Sequence, residues 1–475
     1  MLKRTDYKKF EKEIKTEKKS CWEIWDNKTR KLAFDFSEGY KVFLNRAKTA
    51  RETVEHGIKL AEKSGFRNIA ELKNAKPGGK LYSAHRGKSA IFARIGKQGL
   101  KDGFKMLMAH VDSPHLDLKV RPLYEDESVA FLKTHYYGGI KKYQWPTIAL
   151  ALHGEVYLEN GKKASFVIGE KQDDPVFMIT DLLPHLDRPG GPGTQPRQRE
   201  VQGEELNLVA GTIPVLSKQI KEKVKLAVLE HLYDNYRIKE EDLVSAEIEA
   251  VPSEKARDLG FDRSLISAYG HDDKSCAYAS LQAFFDSRAG DQTQLCAWID
   301  REEVGSDGIG GAQSIFIEVF ISDLLKLTSS RASIDEVYRI FSASQAISAD
   351  VVAAIDPDYK DVHDPRNAAR LGYGVVLEKH TGSGGKYNSS EASAEYVQKL
   401  RMLFKKDKNL VYQIIGGMGK IDTGGGGTIA KYMANRNIEI IDMGVPLYNM
   451  HAPLEIASKA DIYSAYLAYK LFIQA

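Results

Sequence analysis

Five stretches of this chain set metal-binding residue types at the end of an apolar run or the start of a helix. "KMLMAHVDSPH" closes on His110-x-Asp112, and "AWIDREEVGSDG" turns at Glu302-Glu303. "AISAD" ends in Asp350, "IEIIDMGVPLYNMH" leads to His451, and "GHDDKSC" sets Asp272-Asp273 before an expected helix. Two histidines and several carboxylates, without nearby cysteine pairs, form a nitrogen and oxygen site suited to zinc, cobalt or manganese. Three carboxylate ligands against two divalent ions leave a formal charge of about +1, which a bound hydroxide would neutralise. Two such ions, about 3.5–4 Å apart, acidify a water and polarise a carbonyl.

Spacing adds roles. Residues two apart on a strand share a face, so Asp112 can orient the His110 ring and raise its basicity. The successive glutamates at a strand end can divide the work: one binds metal and the other takes the proton of the attacking water. A neighbouring cation also offsets their mutual repulsion.

Taken singly, each feature has an ordinary explanation. A pair of glutamates is usually a solvated turn, and a lone His-x-Asp is usually incidental. Asp350 alone reads as a helix N-cap, and His451 alone as a hydrogen-bonded core histidine. His115 and His271 read as neighbours rather than ligands. Five separated elements each carrying a ligand type point instead to a shared site. Two other motifs fail. "GGMGKIDTGGGGT" lacks phosphate-loop spacing, since Lys420 precedes Ile421 rather than Ser or Thr. Asp422-Thr423-Gly424 resembles an aspartic-protease triplet, but no second copy exists. Glycines there let backbone pass close to a site.

Ligands in open α/β sheets bind beyond the carboxyl ends of the strands, which would let these residues converge. "KSAIFARIG", "FKMLMAH", "TQLCAWID" and "IEIIDMG" read as buried strands. "EGYKVFLNRAKTARETVEHGIKLAEKSGF" reads as helix stopping at Gly65, and a long closing helix is expected from about residue 454. Between about residues 114 and 254 the pattern changes to short alternating stretches, with a hairpin signal at Glu159-Asn160-Gly161. Residues 187–205 read as a long mobile loop. The organisation expected is one mixed α/β domain, residues 1–113 and 255–475, interrupted by an inserted mostly β domain at 114–254.

Composition excludes other classes. The 475 residues are 43% hydrophobic and 28% charged, with a net charge of +3, too little to argue for nucleic acid. The basic stretch "YKKFEKEIKTEKKS" is mixed in sign and reads as a solvated helix face. No apolar run spans a bilayer, and no signal segment is evident. Three separated cysteines argue against a disulfide framework and for a reducing, cytoplasmic setting.

The ordered set "MAHVDSPHLDLKV", "DDKSCAYASLQAF", "IDREEVGSDGIGGAQS", "ISADVVAAIDPDY" and "LYNMHAPLEIASKADI" resembles the M18 family of metallo-aminopeptidases, the aspartyl aminopeptidases. The resemblance covers nearly the whole chain. It implies a zinc-peptidase-type catalytic domain with helices on both faces of a mixed sheet, and an inserted β domain that builds a dimer. It further implies that His110 and Asp350 bind one metal and Glu303 and His451 the other. Asp272 would bridge them, with Asp273 as the alternative. Glu302 would be the general base toward a metal-bound hydroxide, and Asp112 the orienting acid. His185, in "LLPHLDR", resembles a family histidine that reaches a neighbouring subunit's site. Family members form dodecamers around an internal chamber, which restricts substrates to short peptides. The chain departs from the family in lacking its Arg-Asp after "YYGG" and its Ser-Pro-Phe-His near the opening helix. These departures bear on preference for an acidic N-terminal residue, for which Lys386 in "GGKYNSS" is the candidate cation. The expected activity is removal of the N-terminal residue from short peptides. A two-metal deacylase of small N-acyl compounds and a non-catalytic, metal-stabilised assembly protein are the alternatives.

Overall fold

The computed structural model describes residues 7–186, 200–329 and 332–475. A nine-stranded mixed sheet carries the site. Its order is Arg67–Asn68, Lys80–His85, Ser89–Arg94, Thr293–Ile299, Phe104–His110, Gln345–Ser348, Glu439–Gly444, Val375–Glu378 and Tyr412–Ile415. The four strands from Thr293–Ile299 to Glu439–Gly444 run parallel, so their carboxyl ends point the same way. Ile299 pairs with His110, and Ser348 with Met108. The ends of three strands therefore lie side by side.

Alternation sorts these strands between two cores. Leu107, Ala109, Cys296, Trp298 and Ile347 face the helices Asn27–Arg46, Ala50–Lys63, His271–Phe285 and Lys459–Gln474. Met106, Met108, Leu295, Ala297 and Ala346 face Phe316–Thr328, Ile334–Ser342 and Ala430–Ala434. Both faces are covered, which explains why these strands read as continuous apolar runs. Packing is close where Gly57 meets the sheet: a Cβ there would stand 2.1 Å from Trp298 Cζ3.

The long helix expected before Gly65 is two helices, broken at Ala47–Thr49, where Thr49 caps the second through Glu52 N. The closing helix begins at Lys459. Residues Glu455–Ser458 instead form a strand between Leu265–Ala268 and Pro446–Tyr448. Hydrogen bonding to those strands overrides the helical spacing.

Five residues after His110, the strand His115–Asp126 enters a separate seven-stranded antiparallel sheet. Its order is Lys163–Ile168, Leu150–Tyr157, Ala246–Pro252, His115–Asp126, Val129–Tyr137, Leu208–Gly211 and Met178–Ile179. The hairpin at Glu159-Asn160-Gly161 joins two of these strands, with Gly161 at φ +77°. Most of the loop expected at 187–205 lies outside the described residues; its end forms a short turn of helix at Gly203–Glu205.

A buried ionic cluster ties the two sheets. His153, on Leu150–Tyr157, sits 2.7 Å from Glu52 and 3.3 Å from Glu170, and Lys48 lies 2.9 Å from Glu170. Burial opposes charge on His153, but the two carboxylates win and raise it to about 9. In the unfolded chain a histidine titrates near 6.5. The stabilisation is therefore fully present below about pH 6.5 and is lost as pH rises through about 9. Thermal unfolding is expected to move several degrees lower between pH 6.5 and 9.5, and His153→Gln is expected to flatten that dependence. An identical slope in the variant would place its origin elsewhere.

Candidate active site

His110 closes its strand at 1% exposure. Its Nδ1 donates to the Asp112 main-chain carbonyl at 3.0 Å, so the ring is oriented chiefly by backbone, with Asp112 Oδ1 at 3.4 Å. The Asp112 carboxylate has other duties. It accepts the N–H groups of Glu302 and Glu303, each at 3.2 Å, and the Tyr137 hydroxyl at 2.8 Å. One buried carboxylate thus pins the turn that presents both glutamates. That turn leaves the strand Thr293–Ile299 through Arg301 in a left-handed conformation (φ +68°).

Asp272 lies between the two histidines. Its Oδ1 is 2.9 Å from His110 Nε2, and its Oδ2 is 3.3 Å from His451 Nε2. His451 Nε2 is also 3.4 Å from Glu303 Oε2, and His110 Nε2 is 3.9 Å from Asp350 Oδ1. Asp273 takes a different position: its Oδ2 accepts the His110 N–H at 3.2 Å. The peptide between Asp272 and Asp273 is cis. Two ligand groups emerge, His110–Asp272–Glu303 and His110–Asp273–Asp350, each with ligand atoms within 4.8 Å of one another.

His451 is held in a left-handed conformation (φ +67°). Glu455 accepts its N–H at 2.8 Å and the Asp272 N–H at 3.0 Å, while the ring Nδ1 donates to the Gly139 carbonyl at 2.9 Å. Such second contacts fix the ring so that Nε2 faces the cavity. Sequence reading missed Glu455, Tyr137 and Gly139. Only Glu455 left a trace, four residues beyond His451 in "MHAPLEIASKADI".

The donor set fits divalent cations. Asp272 Oδ1, Asp273 Oδ1 and Glu303 Oε1 are buried without a hydrogen-bond partner. Asp272 Oδ1 is near His110 Nε2 yet out of line for a hydrogen bond, as expected of two ligands converging on one ion. Burial and neighbouring carboxylates drive Glu303 and Asp350 well above the usual range. Burial opposes the charge on His451, but the adjoining acids raise it to about 10. The His110 and His451 rings hold Asp272 low against its own burial. Buried acids in excess of their partners are what a cation balances.

Glu302 lines the same cavity of 470 Å³ as His110, Asp272, Glu303, Asp350 and His451. Burial raises its carboxyl to about 7, with Asp112 and Asp272 adding to the shift and His110 and His451 opposing it. Its carboxylate makes none of the histidine contacts that Glu303 makes. His115 and His271 are satisfied elsewhere: His115 by the Ser113 carbonyl and Asp117, His271 by the Tyr40 hydroxyl and the Ile266 carbonyl. Lys386 borders an adjoining cavity instead and is paired with Glu391 at 2.9 Å. His185 is exposed and does not line the cavity.

Residues 43–473 match the aminopeptidase I zinc metalloprotease (M18) family. The chain belongs to the M18 family. A probable M18 family aminopeptidase 1 of Borrelia garinii is 45% identical over 460 residues, covering 96% of this chain and 99% of the relative. The crystal structure of an M18 aminopeptidase from Thermotoga maritima superposes with a TM-score of 0.91 at 42% identity, covering 97% of this chain and 100% of that one. Aminopeptidase I of Clostridium acetobutylicum gives 0.88 at 41%, with the same coverage. The yeast mApe1 dodecamer, 17% identical, shares the fold with a TM-score of 0.74 over 92% of this chain and 96% of that one. The M18 fold thus holds two adjacent His/carboxylate clusters in this chain, the layout of a two-metal peptidase.

Proposed function

We propose that this M18 protein removes the N-terminal residue from short peptides at a two-metal site. The observation that carries the reading is Asp272 with one oxygen toward each histidine. In this reading His110 and Asp350 would hold one ion, His451 and Glu303 the other, and Asp272 would serve both. Bound divalent ions would acidify water and polarise the scissile carbonyl. Zinc is the expected metal, as the family name suggests, although the same ligands suit cobalt or manganese.

The chain's own groups do the rest. Glu302 takes the proton of the attacking water and delivers it to the leaving amine, a role supported by its place in the cavity wall beside the ligand set. Asp112 holds Glu302 and Glu303 at their relative positions through the two backbone N–H groups. Retention of this base supports catalysis over a silent shell, because metal binding alone does not need it.

His185 is assigned to a neighbouring subunit's site; Lys386, expected to meet an acidic N-terminal side chain, would have to leave Glu391 to do so. Leu182, Leu183 and Leu186 beside His185 are exposed, as are Ile213 and Leu216, and this apolar surface supports assembly into dimers and a dodecamer. Among the described residues no helix is long and apolar enough to cross a membrane, and the three buried free cysteines support a reducing, cytoplasmic setting. Nucleic acid is not an expected partner. Paired peptides with free and N-acetylated amino termini separate aminopeptidase from deacylase: cleavage of the free form alone is expected, and preference for the acetylated form would overturn the reading.

A further inference from the structure

The cavity that holds the ligand set carries the carboxylates Asp272, Glu302, Glu303, Asp350 and Glu378, and one ammonium group reaches it. Lys431 is the only lysine or arginine among the described residues lining it. Its Nζ donates to Asn388 Oδ1 at 3.1 Å and lies 5.3 Å from the centre of the Tyr432 ring. Both partners are neutral. No described carboxylate lies within ion-pair distance of it, whereas Lys386, in the adjoining cavity, is committed to Glu391.

The helix that carries Lys431, Ala430–Ala434, is fixed to the catalytic turn. The Tyr432 hydroxyl donates to the Gly305 carbonyl at 3.1 Å, directly after Glu302–Val304. Arg436, just beyond the helix, donates to the carbonyls of Ala312 and Ser314 and pairs with Glu318 at 2.5 Å. Before the helix, Thr428 donates to Asp442 at 2.7 Å. The backbone that carries Lys431 therefore keeps a set position relative to the Glu302 turn, and Asn388 holds the ammonium. Two divalent ions would consume the charge of Asp272, Asp350 and Glu303, so none of those acids is left to neutralise Lys431. A fixed cation with neutral partners is a receptor for an anionic group.

Resting on the aminopeptidase reading, we infer that Lys431 is a specificity-determining residue that receives a carboxylate of the bound peptide. That carboxylate has two sources: the side chain of an acidic N-terminal residue, or the free C-terminus of a di- or tripeptide.

Matched substrates distinguish them. Glu-Ala-Ala-amide against Gln-Ala-Ala-amide reads the side chain, and Ala-Ala against Ala-Ala-amide reads the C-terminus. In one arm the native protein is expected to favour the acid in kcat/KM by roughly 10- to 100-fold, the scale of a hydrogen bond to a charged group. Lys431→Met is expected to bring that ratio near unity, and Lys431→Arg to restore most of it. The arm that collapses names the carboxylate. Acid-to-neutral ratios unchanged by Lys431→Met in both arms, including a uniform fall for all substrates, would overturn the inference. So would a native protein with no preference in either arm. Calorimetric binding of the same four peptides with a reduced first peptide bond gives a readout independent of turnover. Analogues bound with this pattern by a chain that cleaves no peptide would overturn the aminopeptidase reading while sustaining the Lys431 site.

Discussion

Glu302→Gln is expected to lower kcat by about 10³-fold while leaving the metal content of the protein unchanged. The change keeps the side chain's size but removes the group that takes the proton. Glu302 lines the cavity without touching either histidine ring, whereas Glu303 Oε2 lies 3.4 Å from His451 Nε2. Glu303→Gln is therefore expected to lose activity together with metal. Elemental analysis beside hydrolysis of a free-amine peptide separates the two variants. Loss of metal from Glu302→Gln with retention by Glu303→Gln would reverse the assignment of the pair.

The second large effect is expected at Asp272. Asp272→Ala removes the carboxylate that sets one oxygen 2.9 Å from His110 Nε2 and the other 3.3 Å from His451 Nε2, and that would serve both ions. Metal occupancy is expected to fall at both positions and hydrolysis by more than about 10³-fold, beyond the 10- to 100-fold typical of an outer-shell residue. Asp273 accepts the His110 N–H, a contact an asparagine oxygen can keep, so Asp273→Asn is expected to keep measurable metal and activity. If Asp273→Asn emptied both positions and Asp272→Ala spared them, the bridge would be Asp273.

The residues that converge on the cavity could be picked out of the sequence because most of them lie at the end of a run whose burial is simple. His110 closes a strand covered on both faces, and Asp350 lies just past another, so apolar continuity followed by a ligand type marks the mouth of the sheet. What could not be read depends on contacts distant in sequence. The choice between Asp272 and Asp273 turns on their contacts with His110 and His451, which lie far from them along the chain. Glu455 became visible only once its strand packed against Leu265–Ala268, and helical spacing over the same residues concealed that strand. Asp112 was expected to serve His110, yet its carboxylate mostly serves the Glu302-Glu303 turn, nearly two hundred residues away. Lys431 gave no signal, since one lysine in "TIAKYMANRN" is unremarkable until the fold brings it to an acidic cavity.

Hydrolysis at this site is expected to depend on divalent metal held by His110, Asp272, Glu303, Asp350 and His451. The most direct test is release of the N-terminal residue from a panel of free-amine peptides. Metal-stripped protein would be compared with the same protein given zinc, cobalt or manganese. No release is expected without metal, and recovery with at least one ion, at close to two ions per chain. Full activity in the stripped protein, or no activity with any ion in correctly assembled protein, would contradict it.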